Sequence, residues 1–160
     1  MECFHIGEQD DNFIKIVITD FSGEGDSYFG GAYFKGECEL GCSGFKVKTT
    51  SFYFDNNDIY HFYKDLQKIY TLGSGTVHFK SESNELSLTC HLDIDTSFKI
   101  SVSFKELEGD STLSCYIYEF HEYILSIKSQ LSSFLNTFKF NGNESWRFFC
   151  RTNLGVGLGE

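Results

Sequence analysis

Proline is absent from all 160 residues, and arginine occurs only as Arg147 and Arg151. Without proline there are no stiff proline-rich spacers, so turns must be built on Gly, Asn and Asp. So few arginines in a chain of net charge −10 argue against binding a nucleic-acid backbone, which needs clustered cations to displace condensed counterions. No stretch approaches the roughly 20 apolar residues of a membrane span. Met1 to Asp10 is acidic and polar rather than leader-like, which leads us to expect a cytoplasmic protein. Six cysteines are too sparse for a disulfide scaffold, so free thiols are expected. Cys38 and Cys42 form a C-x3-C pair with no second pair at zinc-ligand spacing, and neither metal nor cofactor is expected. Gly23-Glu24-Gly25 and the terminal Gly155-Val156-Gly157 lack the following helix and lysine that would cradle a phosphate.

What the chain has in abundance is aromatic surface, with 18 Phe and 9 Tyr, enough for one well-filled core. Residues 1–140 read as a single domain and 141–160 as a glycine-rich tail. Phe13 to Thr19 is β-branched and reads as a strand. Ala32 to Leu40 alternates, with Ala32, Phe34, Cys38 and Leu40 on one face. A turn at Gly41 to Gly44 leads into a strand from Phe45 to Phe54. Pairing Leu40 with Phe45 sets Glu39 opposite Lys46 and Glu37 opposite Lys48. Asp55-Asn56-Asn57-Asp58 supplies caps for a helix whose stripe is Ile59, Phe62, Tyr63, Leu66, Ile69 and Tyr70, stopped by Gly73. Four strands follow at Thr76–Lys80, Leu86–Ile94, Phe98–Lys105 and Leu113–Tyr118. The short loop between the middle two pairs Ile94 with Phe98 and Cys90 with Val102. Phe120, Ile124, Ile127, Leu131, Phe134, Leu135 and Phe138 then mark a second helix. Cys3 and His5 fall on a terminus read as frayed. The expectation is an α+β fold, a mainly antiparallel sheet in the order βββαββββα with two amphipathic helices on one face.

Two surfaces are left as candidates for contact with a partner. One is the loop after the first strand, with Asp20, Glu24 and Asp26 unpartnered and Tyr28 and Tyr33 as aromatic anchors. The other is the uncovered sheet face, bearing His91, Asp93, Ser101, Tyr116 and Tyr118. An enzymatic reading would rest on His91 beside Ser101 and Tyr116. A flat strand face offers no elbow or helix terminus to present a nucleophile and oxyanion donors, so no catalytic residue is assigned.

The Tyr28-Phe29 pair followed by Tyr33, the Gly41-Cys42-Ser43-Gly44-Phe45 turn, the helix anchors Phe62 and Leu66, and Gly75 before a strand resemble the WapI-like immunity proteins of polymorphic or contact-dependent bacterial toxin systems. The resemblance runs from about Phe13 to Phe138. It departs where that family often has Trp, here Phe29 or Tyr33, and at Thr96-Ser97. It implies a non-enzymatic cytoplasmic protein that binds one cognate toxin C-terminal domain and blocks it stoichiometrically; from charge and hydropathy, no nucleic acid and no membrane is expected as a partner. Such toxins are frequently nucleases, whose basic clefts an acidic inhibitor complements. The alternative is a structural or scaffolding module unrelated to toxins, since fold does not determine function.

Overall fold

The computed structural model describes residues 1–7, 12–22, 32–42, 44–106 and 111–138. The expected tail, 141–160, lies outside them. The α+β expectation holds, with the strands divided between two antiparallel sheets. The first contains β1 (Glu2–Gly7), β2 (Phe13–Ser22), β3 (Tyr33–Cys42), β4 (Phe45–Lys48) and β5 (Phe52–Asp55). Helix α1 (Asn56–Leu72) leads to the second sheet, a meander of β6 (Gly75–Lys80), β7 (Leu86–Leu92), β8 (Ser97–Lys105) and β9 (Thr112–Phe120), and α2 (Tyr123–Thr137) follows it.

Strand β1 is the first departure from expectation. Glu2–Gly7 pairs antiparallel with β2, and Cys3, Phe4 and Ile6 are buried, so these residues are not a frayed end. Their apolar run is too short to announce a strand, and it is held from both sides. One edge hydrogen-bonds β2. On the other, the Gln130 amide of α2 accepts from His5 N–H at 2.8 Å and donates to His5 C=O at 3.2 Å. The Tyr123 hydroxyl does the same at Gly7, accepting at 3.1 Å and donating at 3.2 Å. Helix α2 thus satisfies backbone groups that an edge strand would otherwise present to water or to another chain.

The segment expected as one strand from Phe45 to Phe54 is two. Val47 lies opposite buried Leu40 whereas Phe54 lies opposite buried Phe34, so the parity on the core side of β3 changes from odd in β4, all of it exposed, to even in β5. A continuous strand would put Lys46 and Lys48 on the core face with the two phenylalanines. The break is bridged by Thr49, whose N–H donates to Cys38 C=O at 2.9 Å and whose hydroxyl accepts from Cys38 N–H at 3.0 Å. The β3–β4 hairpin closes from Cys42 to Phe45, so Glu39 faces Lys48 and Lys46 faces Gly41. Lys48 nevertheless reaches diagonally to Glu37 at 2.7 Å. Downstream, β5 lies against β3 with Phe52 opposite Gly36. A Cβ at Gly36 would stand 2.8 Å from Phe54 Cε1, so the aromatic pair needs glycine there.

Helix α1 follows its sequence signals closely. Asp55 Oδ1 accepts from Asp58 N–H and Asp58 Oδ2 accepts from Asp55 N–H, both at 2.9 Å, a reciprocal capping box, and Gly73 ends the helix in the left-handed region. Its buried stripe meets both sheets through aromatic rings. Phe79 of β6 lies 5.6 Å from Phe62, 5.8 Å from Phe54 and 6.4 Å from Phe4. Phe34 of β3 meets Phe134 and Phe138 at 5.2 and 4.8 Å. One continuous core therefore joins the sheets to both helices. Gly75, picked out in the family pattern, has φ +142° and sits where a Cβ would lie 2.7 Å from Ile69 Cγ2, which lets β6 leave tightly under α1.

In the second sheet the β7–β8 register differs from expectation by two residues. Leu92 pairs with Phe98, Cys90 with Ile100 and Leu88 with Val102. Asp93 N–H donates to Ser97 C=O at 2.9 Å, Thr96 takes a left-handed φ of +71°, and Ile94 moves from the expected inner face to the turn, 90 % exposed. A shift of two keeps every other side chain on its expected face. Phe120, expected on the second helix, is instead the last residue of β9 and is 77 % exposed.

Candidate functional site

The outer face of the second sheet is set by strand parity. Even positions of β6 and odd positions of β7 and β8 face away from the core, as do even positions of β9. Register then stacks them into rows across four strands. One row is Thr76, His91, Lys99 and Tyr118; the next is His78, Thr89, Ser101 and Tyr116; a third is Lys80, Ser87, Ser103 and Ser114. Phe120, opposite Ser97, and Lys105, opposite Thr112, extend the face at its two ends.

The aromatic members stand on β9 at alternate positions, Tyr116 at 51 %, Tyr118 at 65 % and Phe120 at 77 % exposure. They form a ridge on a terminal strand of the sheet. The Lys99 ammonium is held against it, 4.6 Å from the Tyr116 ring centre and 5.7 Å from that of Tyr118. His91 is positioned by two partners, with Nδ1 2.8 Å from Thr76 Oγ1 and Nε2 3.0 Å from Asp93 Oδ1. His78 Nδ1 lies 3.0 Å from Thr89 Oγ1.

The expected grouping of His91 with Ser101 and Tyr116 does not form, because His91 lies opposite Lys99. Thr76, His91 and Asp93 instead make a hydroxyl–imidazole–carboxylate chain. Its imidazole and carboxylate are both well exposed, and the chain lies flat on a sheet whose backbone amides belong to the strand ladders. In that setting the chain orders a surface and lacks the water-excluded pocket of an activated nucleophile.

The other candidate surface fares differently. Asp20 belongs to β2: the ladder shifts between Ile18 and Asp20, which puts Asp20 opposite Lys35 rather than in an all-acidic loop. Glu24, Asp26 and Tyr28 lie outside the described residues. Tyr33 opens β3, half-buried, stacked on Tyr53 with ring centres 5.6 Å apart, and its hydroxyl donates to Glu82. Tyr33 therefore fastens β3 to the loop after β6. The structure brings Asp93, Tyr116 and Tyr118 together and leaves Asp20 and Tyr33 on the other sheet. The sequence reading missed Lys99 and Phe120. The spacing Tyr116, Tyr118, Phe120, alternating with apolar Cys115 and Ile117, was the available sign that the strand continued to Phe120.

Elsewhere, an open pocket of about 370 Å³ lies between β1 and α2, lined by Glu2, Cys3, Gln130, Phe134 and their neighbours. Among the described residues no group of three or more His, Cys, Asp or Glu side chains is placed to hold a metal ion. No described helix is long and apolar enough to cross a membrane.

The described residues thus combine one continuous core with an ordered, solvent-facing aromatic and polar sheet face. The chain belongs to the WapI-like immunity protein family, whose model matches residues 5–139. That membership makes it a toxin immunity protein by family and implies a toxin partner. No curated protein matches it. Among solved structures it is similar to WHY1 from Arabidopsis thaliana, with 12 % identity over 100 % of this chain and 94 % of that one at a TM-score of 0.48. WHY3 from the same plant shows 10 % identity over 98 % and 97 % at 0.46. At those scores neither likeness bears on what this chain binds.

Proposed function

We propose that this chain binds the C-terminal domain of one cognate bacterial toxin in the cytoplasm and neutralises it by stoichiometric occupation, without chemistry of its own. The observation that carries this reading is the family match over residues 5–139. It accords with a surface on which hydroxyl, imidazole and carboxylate groups hold one another in place, the Lys99 ammonium rests on a tyrosine ring, and aromatic area is exposed for burial. We propose further that the toxin is a nuclease. The net charge of −10 favours encounter with a basic substrate cleft through long-range attraction.

The test is coexpression with the toxin domain encoded in the neighbouring reading frame. Restored growth and copurification in a 1:1 complex are expected, together with loss of nucleic-acid cleavage by the toxin. Unrelieved toxicity in the presence of well-folded wild-type chain rejects the proposal.

A further inference from the structure

The outer face of β6–β9 carries a charge opposite to that of the chain. Among the described residues its outward strand positions hold Lys80, Lys99 and Lys105 and no acid, and Asp93 is bonded to His91 beside them, so these groups sum to a formal +2 within a chain of −10. Four of the exposed large apolar side chains stand along one edge of this same sheet, while Phe45, Val47 and Leu72 lie singly or in pairs elsewhere. Phe120, Tyr118 and Tyr116 follow one another along β9, and Ile94 occupies the turn at the Phe120 end. An uncovered aromatic ridge on a terminal strand is an aggregation hazard unless a partner or local charge guards it.

We propose that this face is the docking surface for the toxin and that it receives a carboxylate-bearing patch of the toxin, an acidic surface distinct from any basic catalytic cleft. This rests on the toxin-neutralisation reading and deepens it. Tyr116, Tyr118 and Phe120 supply the buried area. Lys99, propped between two rings, supplies a preorganised ammonium that loses little side-chain freedom when a carboxylate reaches it. The chain's acidic remainder is then left to face basic parts of the same toxin. A second copy of this chain fits less well, because a symmetric face-to-face contact would bring together two faces whose described strand positions carry Lys80, Lys99 and Lys105 and no acid. Single-stranded nucleic acid, which also stacks on aromatics, is disfavoured by the acidic remainder and by the absence of arginine from the described positions of the face.

The experiment measures binding of the full chain to the neighbouring-frame toxin domain, alongside growth rescue, for wild type, Lys99→Glu, Tyr118→Ala and the control Lys68→Glu. The control makes the same charge change on the exposed side of α1. Lys99→Glu and Tyr118→Ala are expected to raise Kd by about 30-fold or more, with melting temperature unchanged, while Lys68→Glu stays within about threefold. A toxin variant with one acid changed to lysine is expected to recover affinity for Lys99→Glu. If wild type protects and both face variants bind as wild type does, the docking surface is elsewhere and the neutralisation reading stands. If wild type neither binds nor protects, both fail. Binding of a 20-residue oligothymidylate, or self-association by sedimentation, that is lost in the same variants while toxin binding persists also overturns the proposal.

Discussion

Replacing Gln130 with alanine removes two hydrogen bonds that connect α2 to the outer edge of β1, one accepted from His5 N–H at 2.8 Å and one donated to His5 C=O at 3.2 Å. Each intramolecular hydrogen bond contributes about 0.5–1.5 kcal/mol net. The His5 groups are partly buried, so water replaces the lost partners only in part, and a loss of about 2 kcal/mol is expected. For a chain of 160 residues that corresponds to a fall in Tm of about 4–8 °C. Urea denaturation should show a lower midpoint at unchanged slope, because the surface exposed on unfolding is the same. Amide exchange should sharpen the result, since His5 N–H should lose protection ahead of the core amides of β2 and β3. Tyr123→Phe, which deletes the corresponding pair at Gly7 while keeping the ring, should give a comparable loss. A Gln130→Ala protein within about 0.5 kcal/mol of wild type, with unaltered exchange at His5, would refute the view that α2 stabilises this edge through side-chain hydrogen bonds.

Three further outcomes are expected. Burial pushes the Asp58 carboxyl up from 3.8 to about 6, despite the backbone hydrogen bond from Asp55 that favours its anion. Because the folded value lies above the unfolded one, this group's stabilising contribution is complete below about pH 4 and is lost as pH rises through about 6, so Asp58→Asn should flatten the stability profile between those values, as read by denaturation at stepped pH. Gly36→Ala should cost about 1–3 kcal/mol, since its Cβ would press on Phe54 at 2.8 Å; a variant as stable as wild type would show that the ring yields freely. Burial raises the thiols of Cys3, Cys38, Cys90 and Cys115, the last two to about 12, so limited alkylation of native protein followed by peptide mapping should label half-buried Cys42 first among the described cysteines.

Several elements were legible in the residues because their signals are local. The α1 cap at Asp55 to Asp58, its apolar stripe and its stop at Gly73 all lie within one turn of the groups they serve. The alternation in β6 to β9 also identified the face on which Asp93, Tyr116 and Tyr118 meet. The misreadings arose where a distant partner decides. Strand β1 needs β2 and Gln130, separated from His5 by 125 positions. The break at Thr49 depends on which parity faces the core beyond it. The Asp20 misplacement came from a ladder shift that only β3 reveals. Lys99 went unnoticed because its meaning lies in the tyrosines of the next strand, and those are neighbours through register, not through sequence.

The amino-acid order by itself determined the α+β class, the apolar side of each regular element and the family pattern. Periodicity is a property of consecutive residues, and water sorts polar from apolar sides of a helix or strand wherever it sits. Only the tertiary structure decided the division into two sheets, the two-residue register of β7 on β8, the helix-sealed edge of β1, and the cationic aromatic face inside an acidic chain. Those depend on which loop closes and which side chain reaches across, and such contacts are chosen by the packing of the whole core.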